Sequence, residues 1–264
     1  MIWQKTLLGL TTVSVALPLG LTLSPIALSN PIEKIQNSWE ISQAFQSPNN
    51  GVPPGTRGGG TRGGPACSNT SKPYMALVPN NQIGLTLEEY PKFFVYVPET
   101  EAREIKLTLM KWDGEGEEEV GRVRFTTSGK AGIISVSFPQ PNQNNPEKNK
   151  FALALNQVYK WEVEIDCVAD ALGENQTVEG WVQRVAPAGN LANLGKNSTP
   201  ADYAKNGIWY EALAGAAQLY KNKPNDPKVK ADWETLLSSV GFSNIAKEPM
   251  IDCCTIQTNT ASQP

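Results

Sequence analysis

The stretch "YKWEVEIDC", residues 159–167, decides the fold. Tyr159, Trp161, Val163, Ile165 and Cys167 alternate with Lys160, Glu162, Glu164 and Asp166. Successive side chains of a β-strand leave opposite faces, so this alternation predicts a strand with one face in a core and the other in water. Downstream, Gly173-Glu174-Asn175 reads as a turn, and "TVEGWVQRV", 177–185, is expected to return antiparallel as the second arm of a hairpin. Upstream, Phe94–Val97, Ile105–Trp112, Val120–Thr127 and Ile133–Phe138 are short β-rich runs. They are separated by Pro98, Gly114-Glu115-Gly116, Ser128-Gly129 and Pro139, which break strands.

Short strands at this spacing predict a mainly β fold, an immunoglobulin-like antiparallel β-sandwich over residues 67–187. Leu155, four residues before Tyr159 at the entry to the best strand, resembles the tyrosine corner of such domains. Past Ala188 the apolar period lengthens. Pro200-Ala201-Asp202-Tyr203 starts a helix, and Ile208, Trp209, Ala212, Leu213, Ala216, Leu219 and Tyr220 make one stripe that ends before Pro224. A second helix follows from Pro227, with Val229, Trp233, Leu236, Leu237 and Val240 on its stripe and Gly241 as its stop. Residues 188–249 are therefore expected to form a C-terminal α-helical hairpin packed on the sandwich, and 250–264 a disordered tail. The hairpin looks like one junction of a tetratricopeptide array, but stacked repeats need about three units, and the pattern occurs once.

The chain begins as an export signal: Lys5, an apolar run from Thr6 to about Leu23, and a small-residue cleavage site at Ala27-Leu28-Ser29. Residues 1–29 are read as a signal peptide, which leaves no stable membrane span after its removal and predicts a periplasmic or secreted protein. The sequence is 40% hydrophobic and 19% charged with a formal net charge of −3, which argues against binding nucleic acid, since polyanions are held by excess Lys and Arg. There is no histidine in the chain. That excludes Ser-His-Asp and Cys-His nucleophiles and His-ligated metals. No catalytic residue, metal or cofactor is expected.

Four cysteines in an oxidising compartment allow three pairings. Cys67 opens the folded region and Cys167 ends the best strand, so these two are the natural disulfide; closing a loop of about 100 residues contributes about 4–5 kcal/mol on the chain-entropy account. Cys253 and Cys254 are neighbours and are not expected to bond each other readily.

Residues 30–66 carry few apolar side chains and end in "GTRGGGTRGG", 55–64. Gly58, Gly60 and Gly63 match the G-x-G-x-x-G spacing by letter, but that loop must follow a strand and open a helix, and here Pro53-Pro54 precedes it and Pro65-Ala66-Cys67 follows. The stretch is read as a flexible tether. Its sharper reading is a partner clamp, in which Arg57 and Arg62 on glycine-rich backbone grip a carboxylate or phosphate.

Carboxylates are the remaining acid–base candidates. Glu162, Glu164 and Asp166 share a strand face with Lys160, and a solvated outer face explains them. Glu88-Glu89 fall in a loop at the sandwich edge, and Glu115 with Glu117–Glu119 fall in a hairpin turn that lacks a calcium-loop register. Trp112, Trp161, Trp181, Trp209 and Trp233 fall mostly on apolar faces, which core packing explains; Trp181, beside Glu179 and Gln183, is the first candidate for an exposed, partner-binding ring that could stack on a sugar.

The run of motifs from "GTRGG" and Gly64-Pro65-Ala66-Cys67 through "GLTLEEYPKFFVYVP" (84–98), "GIISVSFP" (132–139), "YKWEVEIDC", "EGWVQRV" (179–185) and "GIWYEALA" (207–214) resembles the cyanobacterial domain of unknown function 928 family. The resemblance implies an exported cyanobacterial protein with Cys67 paired to Cys167, and supplies no reaction. Val168-Ala169-Asp170 stands where the family has an Asp-Pro turn, and the Cys253-Cys254 tail is an addition. The function expected is a non-enzymatic protein-binding or scaffolding module of the cell envelope, its partner an envelope protein or glycan. The alternative is an envelope carbohydrate-binding domain or carboxylate-dependent hydrolase.

Overall fold

The computed structural model describes residues 44–48, 51, 72–80, 82–141, 150–166 and 175–256. Its strands are β1 (Met75–Ala76), β2 (Gly84–Thr86), β3 (Phe93–Val97), β4 (Glu104–Trp112), β5 (Glu117–Thr126), β6 (Gly132–Val136), β7 (Val158–Asp166), β8 (Gln176–Arg184) and β9 (Thr255–Ile256). They make two sheets, one ordered β1-β3-β6 and the other β2-β8-β7-β4-β5-β9. The protein is mainly β.

Strand β7 carries the alternation read from its sequence: Tyr159, Trp161, Val163 and Ile165 are buried, and Lys160, Glu162, Glu164 and Asp166 are half-exposed. It lies mid-sheet, antiparallel to β4 with Leu107 opposite Val163 and to β8 with Val163 opposite Val178. Opposite Trp161 stands Gly180. A Cβ there would lie 2.6 Å from the Trp161 ring and 2.7 Å from Val78, so the absence of a side chain at 180 is what lets the indole lie flat against β8.

Two features depart from the expected architecture. The large sheet is not wholly antiparallel, because β2 runs parallel to β8, with Gly84 opposite Val182 and Thr86 opposite Arg184. The second concerns the acidic cluster: Glu117–Glu119 lie in β5, not in a turn, and the turn itself is Asp113–Gly116. There the Asp113 carboxylate accepts from the backbone N–H of Glu115 (2.9 Å) and Gly116 (2.8 Å), which holds it below the usual carboxylate range.

The helices are α1 (Pro200–Lys205), α2 (Trp209–Asn222) and α3 (Pro227–Ser238). Thr199 and Asp202 close a capping box over the start of α1. At the end of α3, Gly241 takes φ +94°, Phe242 N–H donates to Leu237 O (3.0 Å) and Gly241 N–H to Ser238 O (3.1 Å), a Schellman stop at the glycine read from sequence. Trp209, Tyr210, Trp233 and Leu237 join the sheet residues Phe93, Leu107, Trp161 and Val182 in one hydrophobic core. Leu219, placed on the buried stripe by spacing, is 42% exposed, and Tyr210 is buried in its stead.

Three polar contacts stitch helix to sheets inside that core. Trp209 Nε1 donates to Leu77 O (2.9 Å), Trp161 Nε1 to the Tyr210 hydroxyl (2.8 Å), and that hydroxyl to Trp181 O (3.0 Å). Buried polar groups are tolerated when each finds a partner, and these do.

Both flanking segments fold back. Residues 44–48, expected within a free tether, dock on the helices: Phe45 N–H donates to Ser239 Oγ (3.1 Å), Gln46 N–H to Ala204 O (3.0 Å), and the Phe45 ring meets Trp209 edge-on at 5.0 Å. Residues 250–256, expected to trail as a disordered tail, form a strap. Ile133 N–H donates to Pro249 O (2.8 Å), Ile251 N–H to Ile133 O (2.9 Å), and β9 pairs with the end of β5. Contrary to the expectation for adjacent cysteines, Cys253 and Cys254 are joined to each other, with Cα atoms 3.7 Å apart and Cys254 at φ +86°. Among the described residues no helix is long and apolar enough to cross a membrane.

Candidate functional site

The outer face of the large sheet is built by the polar half of the strand alternation. Register sets Lys106 of β4 opposite both Glu164 of β7 and Arg124 of β5, and Glu162 of β7 opposite Glu179 of β8. Like charges directly opposite repel. The face resolves this by pairing Lys106 across to Glu164 (2.6 Å) and Arg124 across to Glu104, while Arg122 pairs with Glu119 along β5 itself.

At its centre Lys160 reaches three carboxylates, Glu117 (2.5 Å), Glu162 (3.1 Å) and Glu179 (3.7 Å). Burial disfavours the charged ammonium, but the hydrogen bonds to Glu117 and Glu162 outweigh it and the Lys160 pKa is raised. The result is a mosaic of paired charges, with Arg122 half-exposed on β5.

Trp112 and Trp181 close one end of this face edge to face, ring centroids 6.0 Å apart. Trp181, the candidate for an exposed ring, is instead 4% exposed: β8 sets it opposite Lys160, and Trp112 packs against it. Its indole N–H has no acceptor among the described residues. Arg57, Arg62, Cys67 and Cys167 lie outside the described residues.

A second polar cluster sits where β2 leaves the sheet. Glu211, in the first turn of α2, points its Oε1 at the Thr86 hydroxyl (2.6 Å), Leu87 N–H (2.8 Å) and Glu88 N–H (3.1 Å). Its Oε2 is buried with no partner among the described residues. Burial raises its pKa against the opposing pull of those donors. Arg184 donates to Leu153 O (3.1 Å) and Leu87 O (3.4 Å) and pairs with Glu89 (3.0 Å). Glu88 and Glu89 lie in the loop between β2 and β3 and serve it: the Glu88 backbone N–H donates to Glu211 and the Glu89 carboxylate pairs with Arg184.

The arrangement binds this loop to the helix; it does not set two carboxylates across a cleft, the geometry glycoside cleavage requires. Among the described residues no three carboxylates or thiolates converge to hold a metal ion. A shallow depression along α3, lined by Ala231, Glu234, Thr235, Ser238 and Ser239, offers a single carboxylate.

Sequence reasoning passed over Lys160 and Glu211. Lys160 was visible as the lone base in an acidic strand face, but its three partners belong to three strands. Glu211 stood as the one charge in the first turn of an apolar helix, and that was the available signal.

Residues 57–250 match the family model described as Domain of Unknown Function (DUF928), and the chain belongs to that family. The matched range takes in strands β1 to β8, the helices, Arg57, Arg62, Cys67 and Cys167, and ends before β9. No curated protein matches the chain.

Proposed function

We propose that this DUF928 protein is an exported, non-enzymatic module of the cell envelope that presents the outer face of its large sheet to a protein partner. One observation carries the reading: the field of ion pairs centred on Lys160. A surface whose charges are already oriented and mutually held is pre-organised for a polar, complementary partner, and such fields govern encounter rate and specificity more than raw affinity.

The periplasmic or secreted location rests on the signal-like residues 1–29, and a cyanobacterial source on the motif resemblance. The immunoglobulin-like character of the sandwich is supported by the Tyr159 hydroxyl, which accepts from Ala154 N–H (3.2 Å) five residues upstream, the contact of a tyrosine corner. The helical hairpin is supported by the stacking of Tyr220 of α2 on Trp233 of α3 at 5.6 Å. Arg57 and Arg62 add a second contact to the same partner through their guanidinium groups.

The test is a photo-crosslinking residue placed at Arg122 on the face and, in a separate variant, at Lys228 on α3, both exposed. In envelope fractions the Arg122 position is expected to give one discrete protein adduct and the Lys228 position none. Equal adducts at both positions, or none at either, contradict the reading. Loss of the Arg122 adduct on adding soluble wall glycan would transfer the site to a carbohydrate ligand.

A further inference from the structure

We propose that the Cys253–Cys254 bond is a redox-active site, a clasp that a dithiol reductant opens to release β9 from β5. The inference is independent of what the outer face binds. A bond between sequence neighbours closes no length of chain, so it constrains the unfolded state very little and does not act as a staple. It does fix the local backbone. Cys254 is held at φ +86°, in the left-handed region that a side chain with a Cβ occupies at a cost.

That residue is the corner of the strap. Before it, Pro249 and Ile251 are hydrogen-bonded to Ile133 of the small sheet. After it, Thr255 and Ile256 pair with Thr126 and Phe125 of the large sheet. Both cysteines are half-buried at the rim of the core, between the exposed Asp252 and the exposed Thr255 and Ile256. Disulfides that are strained and reachable are the labile ones.

The step balances as thiol–disulfide exchange. A thiolate of the reductant attacks one Sγ and the Cys253–Cys254 bond breaks. The second thiolate of the reductant then attacks the reductant's own sulfur in the mixed disulfide and expels the remaining cysteine as its thiolate. Two electrons and two protons end on Cys253 and Cys254, and the reductant departs as its own disulfide. With the ring open, Cys254 returns to negative φ, the strap loses its turn, and the two-residue pairing of β9 has nothing to hold it in register.

The experiment uses the full exported chain, purified without reductant and then exposed to graded dithiothreitol. Maleimide labelling with peptide mapping is expected to find Cys253 and Cys254 blocked before reduction and labelled after it. Amide exchange at whichever of Thr255 and Ile256 turns its N–H toward β5 is expected to quicken about tenfold on reduction while Ile133 and Ile251 stay unchanged, since local opening follows the stability of the local segment. The double variant C253S/C254S should exchange fast at β9 with or without dithiothreitol, which separates this bond from any other disulfide in the chain. C253S/C254G, free to hold positive φ without the bond, should keep β9 protected under both conditions. Labelling of either cysteine before reduction, or β9 exchange that is the same oxidised and reduced, overturns the proposal.

Discussion

Replacing Tyr210 by Phe tests how the helices are tied to the sheets. The hydroxyl sits in the core between the layers, accepting from Trp161 Nε1 at 2.8 Å and donating to Trp181 O at 3.0 Å. Phe keeps the ring and its edge contact with Phe93 at 5.5 Å, so the change removes one oxygen and little packing. It strands a fully buried indole N–H and weakens the satisfaction of a buried carbonyl, each a loss of about 1–3 kcal/mol. The carbonyl lies in a strand and has a second lone pair, which puts the sum at about 2–4 kcal/mol. For a domain of this size that lowers the melting temperature by roughly 5–15 °C.

Urea unfolding followed by tryptophan fluorescence reads it, with an unchanged m-value expected because the core stays compact. Burial also raises the Tyr210 pKa. The unfolded phenol ionises near about 10 while the folded one stays protonated, so this group's stabilisation is present below that pH and lost as pH rises beyond it. Tyr210→Phe should remove that alkaline slope. A variant within about 0.5 kcal/mol of the parent would refute the reasoning, because changes of that size belong to surface positions.

Three further outcomes follow from the same geometry. Gly180→Ala drives a methyl into the Trp161 ring and Val78 and should cost about 1–3 kcal/mol by equilibrium unfolding, as overpacking does. Lys160→Gln leaves Glu117, Glu162 and Glu179 facing one another and should destabilise by about 1 kcal/mol at neutral pH. Because the folded Lys160 pKa is raised, its contribution is complete below about 10.4 and lost as pH rises through the folded value, so the parent and variant curves should converge in alkali. Glu211→Gln should flatten the pH dependence of stability: a carboxyl whose folded pKa is raised stabilises most at low pH, and that contribution fades as pH climbs past about 4.3. A parallel pair of stability–pH curves for the parent and Glu211→Gln would count against the buried-carboxyl assignment.

What the sequence made legible was whatever depends on short-range periodicity. The alternation of β7, its hairpin with β8, the long strands β4 and β5, and the stop at Gly241 all follow from neighbours a few residues apart. The elements it concealed are those whose partners are distant. Strands β1, β2 and β9 are two or three residues long and carry no periodic signal; β2 exists because β8 offers it an edge, and β9 because β5 does. The tether and tail readings treated low apolar content as absence of contact, whereas Phe45 alone, backed by two backbone hydrogen bonds, suffices to dock residues 44–48.

The site was half legible for the same reason. The charged face of β7 is plain in "YKWEVEIDC", but that Lys160 gathers carboxylates from three strands depends on register, which one strand does not contain. Trp181 was the candidate for exposure because its neighbours Glu179 and Gln183 suggest water; it is buried because Trp112, far away in sequence, packs against it.

The account turns on the charged face of the large sheet. The most direct measurement is non-covalent pull-down, by the tagged chain and by its Arg122→Glu/Arg124→Glu variant, of the partner that crosslinking identifies, with equal unfolding midpoints confirming that both are folded. At least a tenfold loss of partner with the variant is the expected result. Equal recovery would mean that the face is only a solvated surface and that binding, if any, lies elsewhere.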